Sequence, residues 1–228
     1  MTESTAEPSE DQTLVSPEPT AAPEPAPPPA PEATPRPTGP GAVLFEDNFD
    51  DPTKATLPLG PSDPNTRSQG YVGGKYEIVN GLTGQSVGTW VGPTIPGIYS
   101  DTSIAMDARV FGGPDTRSIV LTCRRQPAGN SGVWVAVRPQ EQRFFIYRGD
   151  GAPSPFITLL DQRSAAIRQG DVMNHLELSC VGNAMTLTIN GVQVAQVQDS
   201  AFALGRHAFG VAGTGSTARF DNLVLTQR

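Results

Sequence analysis

Two cysteines, two histidines and a thin scatter of carboxylates are the side chains of this 228-residue chain with the types to do chemistry. Cys123 closes the alternation Ile119, Leu121, Cys123, and Cys180 closes Leu176, Leu178, Cys180. Alternation on that period turns both sulfurs toward a core, where either a disulfide or two buried thiols would serve. With His175 and His207 as the available imidazoles, no spacing typical of a zinc site arises. The carboxylates on strand-like segments, Glu77, Asp107 and Glu177, stand alone and read as exposed strand faces. No serine nucleophile elbow is present, and Gly213-Thr214-Gly215 reads as a turn rather than a phosphate loop. No residue is therefore assigned a catalytic role.

A stronger signal lies in segment 132–148. With Pro139 to Gln142 as its connection, alternation puts Val133, Val135, Val137, Phe144 and Ile146 in the core. Trp134, Ala136, Arg138, Arg143, Phe145 and Tyr147 then share the opposite face. Aromatic rings stack on the apolar face of a sugar while guanidinium donors read its hydroxyls, so Trp134, Tyr147, Arg138 and Arg143 are predicted to line an open, concave saccharide site. Arg124 is out of phase with Cys123 and is predicted to join them. The competing reading is that a loop covers this face and the aromatics pack beneath it. Arg148-Gly149-Asp150 spells an adhesion tripeptide, but turn chemistry accounts for it.

The elements that must position these residues are almost wholly β. Strands are predicted over 43–49, 74–79, 86–91, 103–111, 118–125, 132–138, 142–148, 155–160, 174–181, 184–190, 192–198, 207–213 and 217–226, with Gly, Pro, Asn and Asp in every gap. The run 174–222 reads as one uninterrupted antiparallel meander, with Asn190-Gly191 fitted to a type I′ hairpin turn. Segment 50–73 reads as a long irregular loop. The expected fold is an all-β, two-sheet jelly-roll sandwich over residues 42–228. Before it, residues 1–41 hold twelve of the 23 prolines with almost no aliphatic or aromatic side chains. That composition predicts a disordered linker with polyproline II bias. Residues 1–41 carry seven acids and one base, whereas the remainder carries sixteen acids and fifteen bases. A nearly neutral domain argues against nucleic acid as partner. No apolar run is long enough for a transmembrane helix, and MTESTAEPSE has no signal-peptide pattern.

The Cys-x-Gly strand at Cys180-Val181-Gly182, the Asn190-Gly191 hairpin, the Asp199 to Gly205 connection, the closing Phe220-Asp221-Asn222 strand and the opening strand Val43 to Phe49 resemble the concanavalin A-like lectin/glucanase superfamily over roughly residues 43–228. The nearest likeness is to laminin-G-like and 3-keto-disaccharide-hydrolase-like modules of bacterial envelope proteins. The resemblance implies a Cys123–Cys180 disulfide, with Cα atoms about 4.4–6.8 Å apart on paired strands. It also implies an extracytoplasmic location, an envelope glycan or other carbohydrate as partner, and a monomeric domain. The Glu-x-Asp-x-x-Glu strand of retaining glucanases of this fold is absent. A non-enzymatic binding module is therefore expected, with a glycoside-cleaving enzyme or a passive structural or adhesion domain as alternatives. No cofactor is expected beyond a structural calcium, for which Glu46, Asp47, Asp50 and Asp221 on the opening and closing strands offer hard oxygen ligands, unless they only cap turns. The chain would then be an excerpt of a longer anchored protein, or one with a misplaced start.

Overall fold

A computed structural model describes residues 39–60, 62–63, 67–81, 90–127, 130–151 and 156–228. The predicted linker therefore lies, up to residue 38, outside the described residues, as do residues 86–89 of one predicted strand. Fifteen strands are described: β1 (Val43–Asp47), β2 (Ser62–Asp63), β3 (Arg67–Tyr71), β4 (Tyr76–Asn80), β5 (Trp90–Val91), β6 (Thr102–Gly112), β7 (Ser118–Arg125), β8 (Gly132–Arg138), β9 (Arg143–Gly149), β10 (Phe156–Arg163), β11 (Asn174–Val181), β12 (Ala184–Ile189), β13 (Val192–Gln198), β14 (Arg206–Ala212) and β15 (Ser216–Gln227).

They form two antiparallel sheets. The first runs β13-β12-β11-β6-β15-β4-β3-β2, with β1 also on β15, and the second runs β10-β9-β8-β7-β14-β5. The sandwich is all-β, as expected. Period-two alternation feeds one face of each strand into the core between the sheets: Ile104, Met106, Ala108 and Val110 from β6 meet Leu176, Leu178, Leu187, Phe220 and Leu225 of the same sheet. Ile119, Leu121, Val135, Val137, Phe144, Ile146 and Phe209 come from the other. Each such large side chain contributes about 1.5–3 kcal/mol on burial.

Three expectations are corrected. The run 174–222 is not one meander: β11, β12 and β13 are consecutive neighbours, but β14 crosses to the second sheet and β15 returns to the centre of the first. Alternation shows that a face is buried and not which sheet buries it. Segment 50–73 is not wholly irregular, since β3 pairs with β4 along its length. Its residues Arg-Ser-Gln-Gly-Tyr lack an apolar alternation because neither face is fully buried. The disulfide exists, with its Cα atoms 6.7 Å apart. It joins β7 of the second sheet to β11 of the first, across the core rather than between paired strands.

Asn190 and Gly191 have φ of 50° and 81°, the positive values a type I′ turn requires of both central residues. In the same sheet, β15 pairs with β4 over Ser216 to Phe220 and with β1 over Leu223 to Thr226. The change of partner coincides with a bulge between Asp221 and Val224 and with φ of 51° at Asn222.

Candidate functional site

The outer face of the second sheet is built as the alternation of 132–148 requires. Trp134 lies opposite Tyr147, Ala136 opposite Phe145, and Arg138 opposite Arg143. The connection is a 3-10 turn at Pro139–Glu141, closed by Gln142 in the left-handed region. β10 then adds Phe156, Thr158 and Asp161 beside them, with Thr158 opposite Tyr147 and Asp161 opposite Phe145.

The rings form a continuous aromatic run. Phe145 and Tyr147 stack with centroids 5.6 Å apart and planes 7° apart, and Tyr147 leans on Phe156 at 6.0 Å. Phe156 meets Trp134 edge-on at 5.3 Å. The guanidiniums of Arg138 and Arg143 sit over the Phe145 ring at 4.6 and 5.1 Å. Arg143 donates two hydrogen bonds to Asp161, each 2.6 Å, and Arg138 reaches Glu141 at 3.4 Å. The Arg143 hydrogen bonds hold the Asp161 carboxyl below its ordinary range, and burial raises the Tyr147 hydroxyl. Tyr147, Arg138 and Arg143 are half-buried, while Phe156 is 43% exposed.

Two predicted members of the site are placed differently. Trp134 is only 5% exposed: Phe156 packs against it, Arg125 lies 5.9 Å from its ring, and its indole Nε1 donates to the Asn130 carbonyl at 3.0 Å. It supports the platform from below. Arg124 does not join that face: it is 1% exposed and reaches toward Asp101, which leads into β6 of the other sheet. The 199–205 connection covers it, its Nη1 donating to the Phe202 carbonyl at 3.0 Å with Asp101 at 3.5 Å. A Cβ at Gly205 would fall 2.4 Å from the Arg124 carbonyl carbon, so close is the approach. Burial pulls the Arg124 pKa down despite Asp101 and Asp199. For Trp134 alternation could not see what lay on top, and at Arg124 the left-handed φ of 54° breaks the alternation itself.

Sequence reasoning missed Phe156 and Asp161 as members of this face. The segment 155–160 was readable as a strand, but a bulge between Thr158 and Leu160 changes its phase, so alternation along β10 alone could not place both. Arg148 is tied to Asp150 at 2.8 Å and to Asp199 at 2.7 Å, which accounts structurally for the Arg-Gly-Asp tripeptide.

The expected calcium ligands do not converge. β1 and β15 are neighbours as anticipated, and Glu46, Asp47 and Asp50 line a groove of about 570 Å³ with Asn48, Asp51, Lys54, Thr56 and Asn222. Asp47 is already committed, accepting from the Phe49 N–H at 2.8 Å and from the hydroxyls of Thr56 and Tyr71. Asp50 accepts from the Asn48 amide at 2.8 Å, and Asp221 turns instead to the Lys75 ammonium. Calcium needs six to eight oxygens about 2.3–2.6 Å away. Among the described residues no group of three or more His, Cys, Asp or Glu side chains could hold a metal ion, so these four do not fit one.

No protein-family model matches the sequence, and no curated protein matches it. Solved structures do. The carbohydrate binding module CBM66 from Bacillus subtilis superposes with a TM-score of 0.59 at 14% identity, over 75% of this chain and 96% of that one. A Bacillus subtilis protein of unknown function with a galectin-like fold gives 0.60 at 12%, over 83% and 97%. The carbohydrate recognition domain of Emp46p, in its metal-free form, gives 0.57 at 14%, over 79% and 95%. The fold is concanavalin A-like. Within this concanavalin A-like sandwich, the aromatic face of β8, β9 and β10 and the groove beside β1 are the two surfaces with convergent side chains described above.

Proposed function

We propose that the sandwich is a glycan-binding module and that it binds through the outer face of β8, β9 and β10. The observation carrying this reading is the run of Phe145, Tyr147 and Phe156, half-buried to exposed at its Tyr147 and Phe156 end and flanked by the Arg138 and Arg143 guanidiniums. A ring fixed by its neighbours loses little entropy when a sugar stacks on it, and planar guanidiniums supply directional donors at its edge. The likeness to carbohydrate-binding folds supports the reading, and the disulfide suits an oxidising, extracytoplasmic compartment. The test is a glycan array on the full chain, repeated with Tyr147→Ala and Phe156→Ala. Retention should be lost in both variants while cooperative unfolding persists. Undiminished retention by the two variants would remove this face as the site, and an array with no retained glycan would leave a structural or adhesion domain.

A second reading, glycoside cleavage, is favoured by one arrangement on the other sheet. Asp107 of β6 lies directly opposite Asp221 of β15. The Nδ1–H of His175 and the Asn222 amide donate to Asp107, each at 2.8 Å, and the Lys75 ammonium donates to Asp221. A pair of carboxyl groups is what glycoside cleavage requires. Hydrolysis of any glycan that Asp107→Asn and Asp221→Asn each abolish would establish it.

A further inference from the structure

The aromatic face lies within a charge arrangement that a neutral sugar does not call for. Arg163 of β10 is directly opposite Arg143 of β9, which is directly opposite Arg138 of β8. Three guanidinium side chains therefore stand side by side on three adjacent strands, spaced about 4.8 Å. Like charges in directly opposed positions destabilise a sheet unless something answers them. Asp161 and Glu141 answer two of the three. Arg163 is exposed and has no ion pair among the described residues, and the buried Nε of Arg138 has no hydrogen-bond partner.

The far end of the same aromatic run repeats the pattern. Arg206 of β14 is directly opposite Arg125 of β7. The positive φ of Arg124, 54°, breaks the alternation of β7, and the Arg125 guanidinium lies 5.9 Å from the Trp134 ring. Four rings are thus bracketed by Arg138, Arg143 and Arg163 at one end and by Arg125 and Arg206 at the other, on a domain whose charge beyond residue 41 is close to balanced. From Trp134 to Arg138 the strand spans about 13 Å, so the two clusters flank the platform rather than crowd one point.

We propose that this face selects anionic glycans, the rings stacking on the sugar while the Arg138, Arg143 and Arg163 row binds its carboxylate or sulfate groups. The proposal rests on the glycan-binding reading above and adds the ligand's charge. A planar guanidinium binds either oxyanion in bidentate fashion, which a lone lysine could not match. Arg163, the unpaired member, is the first to engage, since Arg143 is held by Asp161.

The test is titration calorimetry on the full chain with four probes: an oligogalacturonide for carboxylate, a heparin oligosaccharide for sulfate, a cello-oligosaccharide of equal length as the neutral sugar, and polyglutamate as the polyanion without sugar rings. At least one anionic glycan should bind roughly tenfold or more tighter than the neutral sugar, and raising salt from about 50 to about 500 mM should erode the difference. The stronger of the two anionic ligands identifies the oxyanion. Arg163→Gln should cost roughly tenfold in affinity for it and nothing for the neutral sugar, with thermal unfolding unchanged. Equal binding of neutral and anionic sugars, with Arg163→Gln silent, would overturn the charge selection and leave glycan binding standing. Polyglutamate bound as tightly as the sugars, and indifferent to Tyr147→Ala, would overturn both readings, as would failure of all three sugars to bind.

Discussion

His207 lies in the seam between the two sheets, and its protonation state is set by what surrounds it. The Thr122 carbonyl can only accept, so the imidazole Nδ1 carries the hydrogen that meets it at 3.2 Å, and Nε2 accepts from the Thr102 hydroxyl at 2.7 Å. Burial, opposed by the Thr122 hydrogen bond and aided by the nearby Arg124 guanidinium, pushes its pKa down to about 4. A depressed folded-state pKa means that the unfolded chain binds the proton first. The stabilising contribution is therefore fully present above about 6.5 and is lost as the pH falls toward 4. At pH 5 the loss should be about 2 kcal/mol, measurable by urea denaturation at pH 7 and pH 5. His207→Gln should flatten that slope, and an unchanged slope would refute the assignment. Trp134 belongs to the same scale. Closed in by Phe156, Arg125 and the Asn130 carbonyl, it should cost about 3–5 kcal/mol as Trp134→Ala, the cost of a cavity rather than of a lost platform.

Among the elements, β7 and β11 matter most to how the sheets are held together. Both carry inward alternating residues, and the Cys123–Cys180 bond ties one sheet to the other across a sequence separation of 57 residues. Constraining a loop of that length in the unfolded chain is worth about 4 kcal/mol in the chain-entropy account. Reduction, or the paired change Cys123→Ala with Cys180→Ala, should lower the denaturation free energy by about that amount. A loss well under 1 kcal/mol would show that the core alone fixes the two sheets. β15 is the other organising element. It lies against β6 throughout and exchanges β4 for β1 at its bulge, which opens the groove lined by Asn222 and the acids of β1 and the following loop.

The whole molecule distributes its charge unevenly. The outer face of the second sheet carries the arginine clusters, whereas the groove beside β1 is lined by Glu46, Asp47, Asp50 and Asp51 with Lys54 as its basic member. Much of the net negative charge belongs to residues 1–41, outside the predicted sandwich. The chain is tied to the end of β15 just before β1 begins, since the Gly41 N–H donates to the Gln227 carbonyl at 2.8 Å. Residues 1–38 offer almost no apolar surface to bury, so removing them should move the melting temperature by less than about 2 °C, corresponding to well under 1 kcal/mol. A larger drop would place the domain boundary earlier than residue 39. No helix among the described residues is long and apolar enough to cross a membrane.

Period-two patterning determined what it physically encodes. It identified nearly all the strands, the core residues of β8 and β9, the hairpin register that puts Tyr147, Arg138 and Arg143 on one face, and the inward direction of both cysteines. It encodes nothing about which sheet a strand joins, because inward residues look the same from either side. That is why the disulfide crosses the core and why β14 leaves the apparent meander. Nor does it encode what covers an outward face, and so Trp134 is buried where alternation alone would expose it, while the left-handed φ at Arg124 breaks the period locally. The opposition of Asp107 to Asp221, and of Arg163 to Arg143, joins residues 114 and 20 positions apart through strand pairing. Those juxtapositions come from long-range register, which only the folded sheet decides.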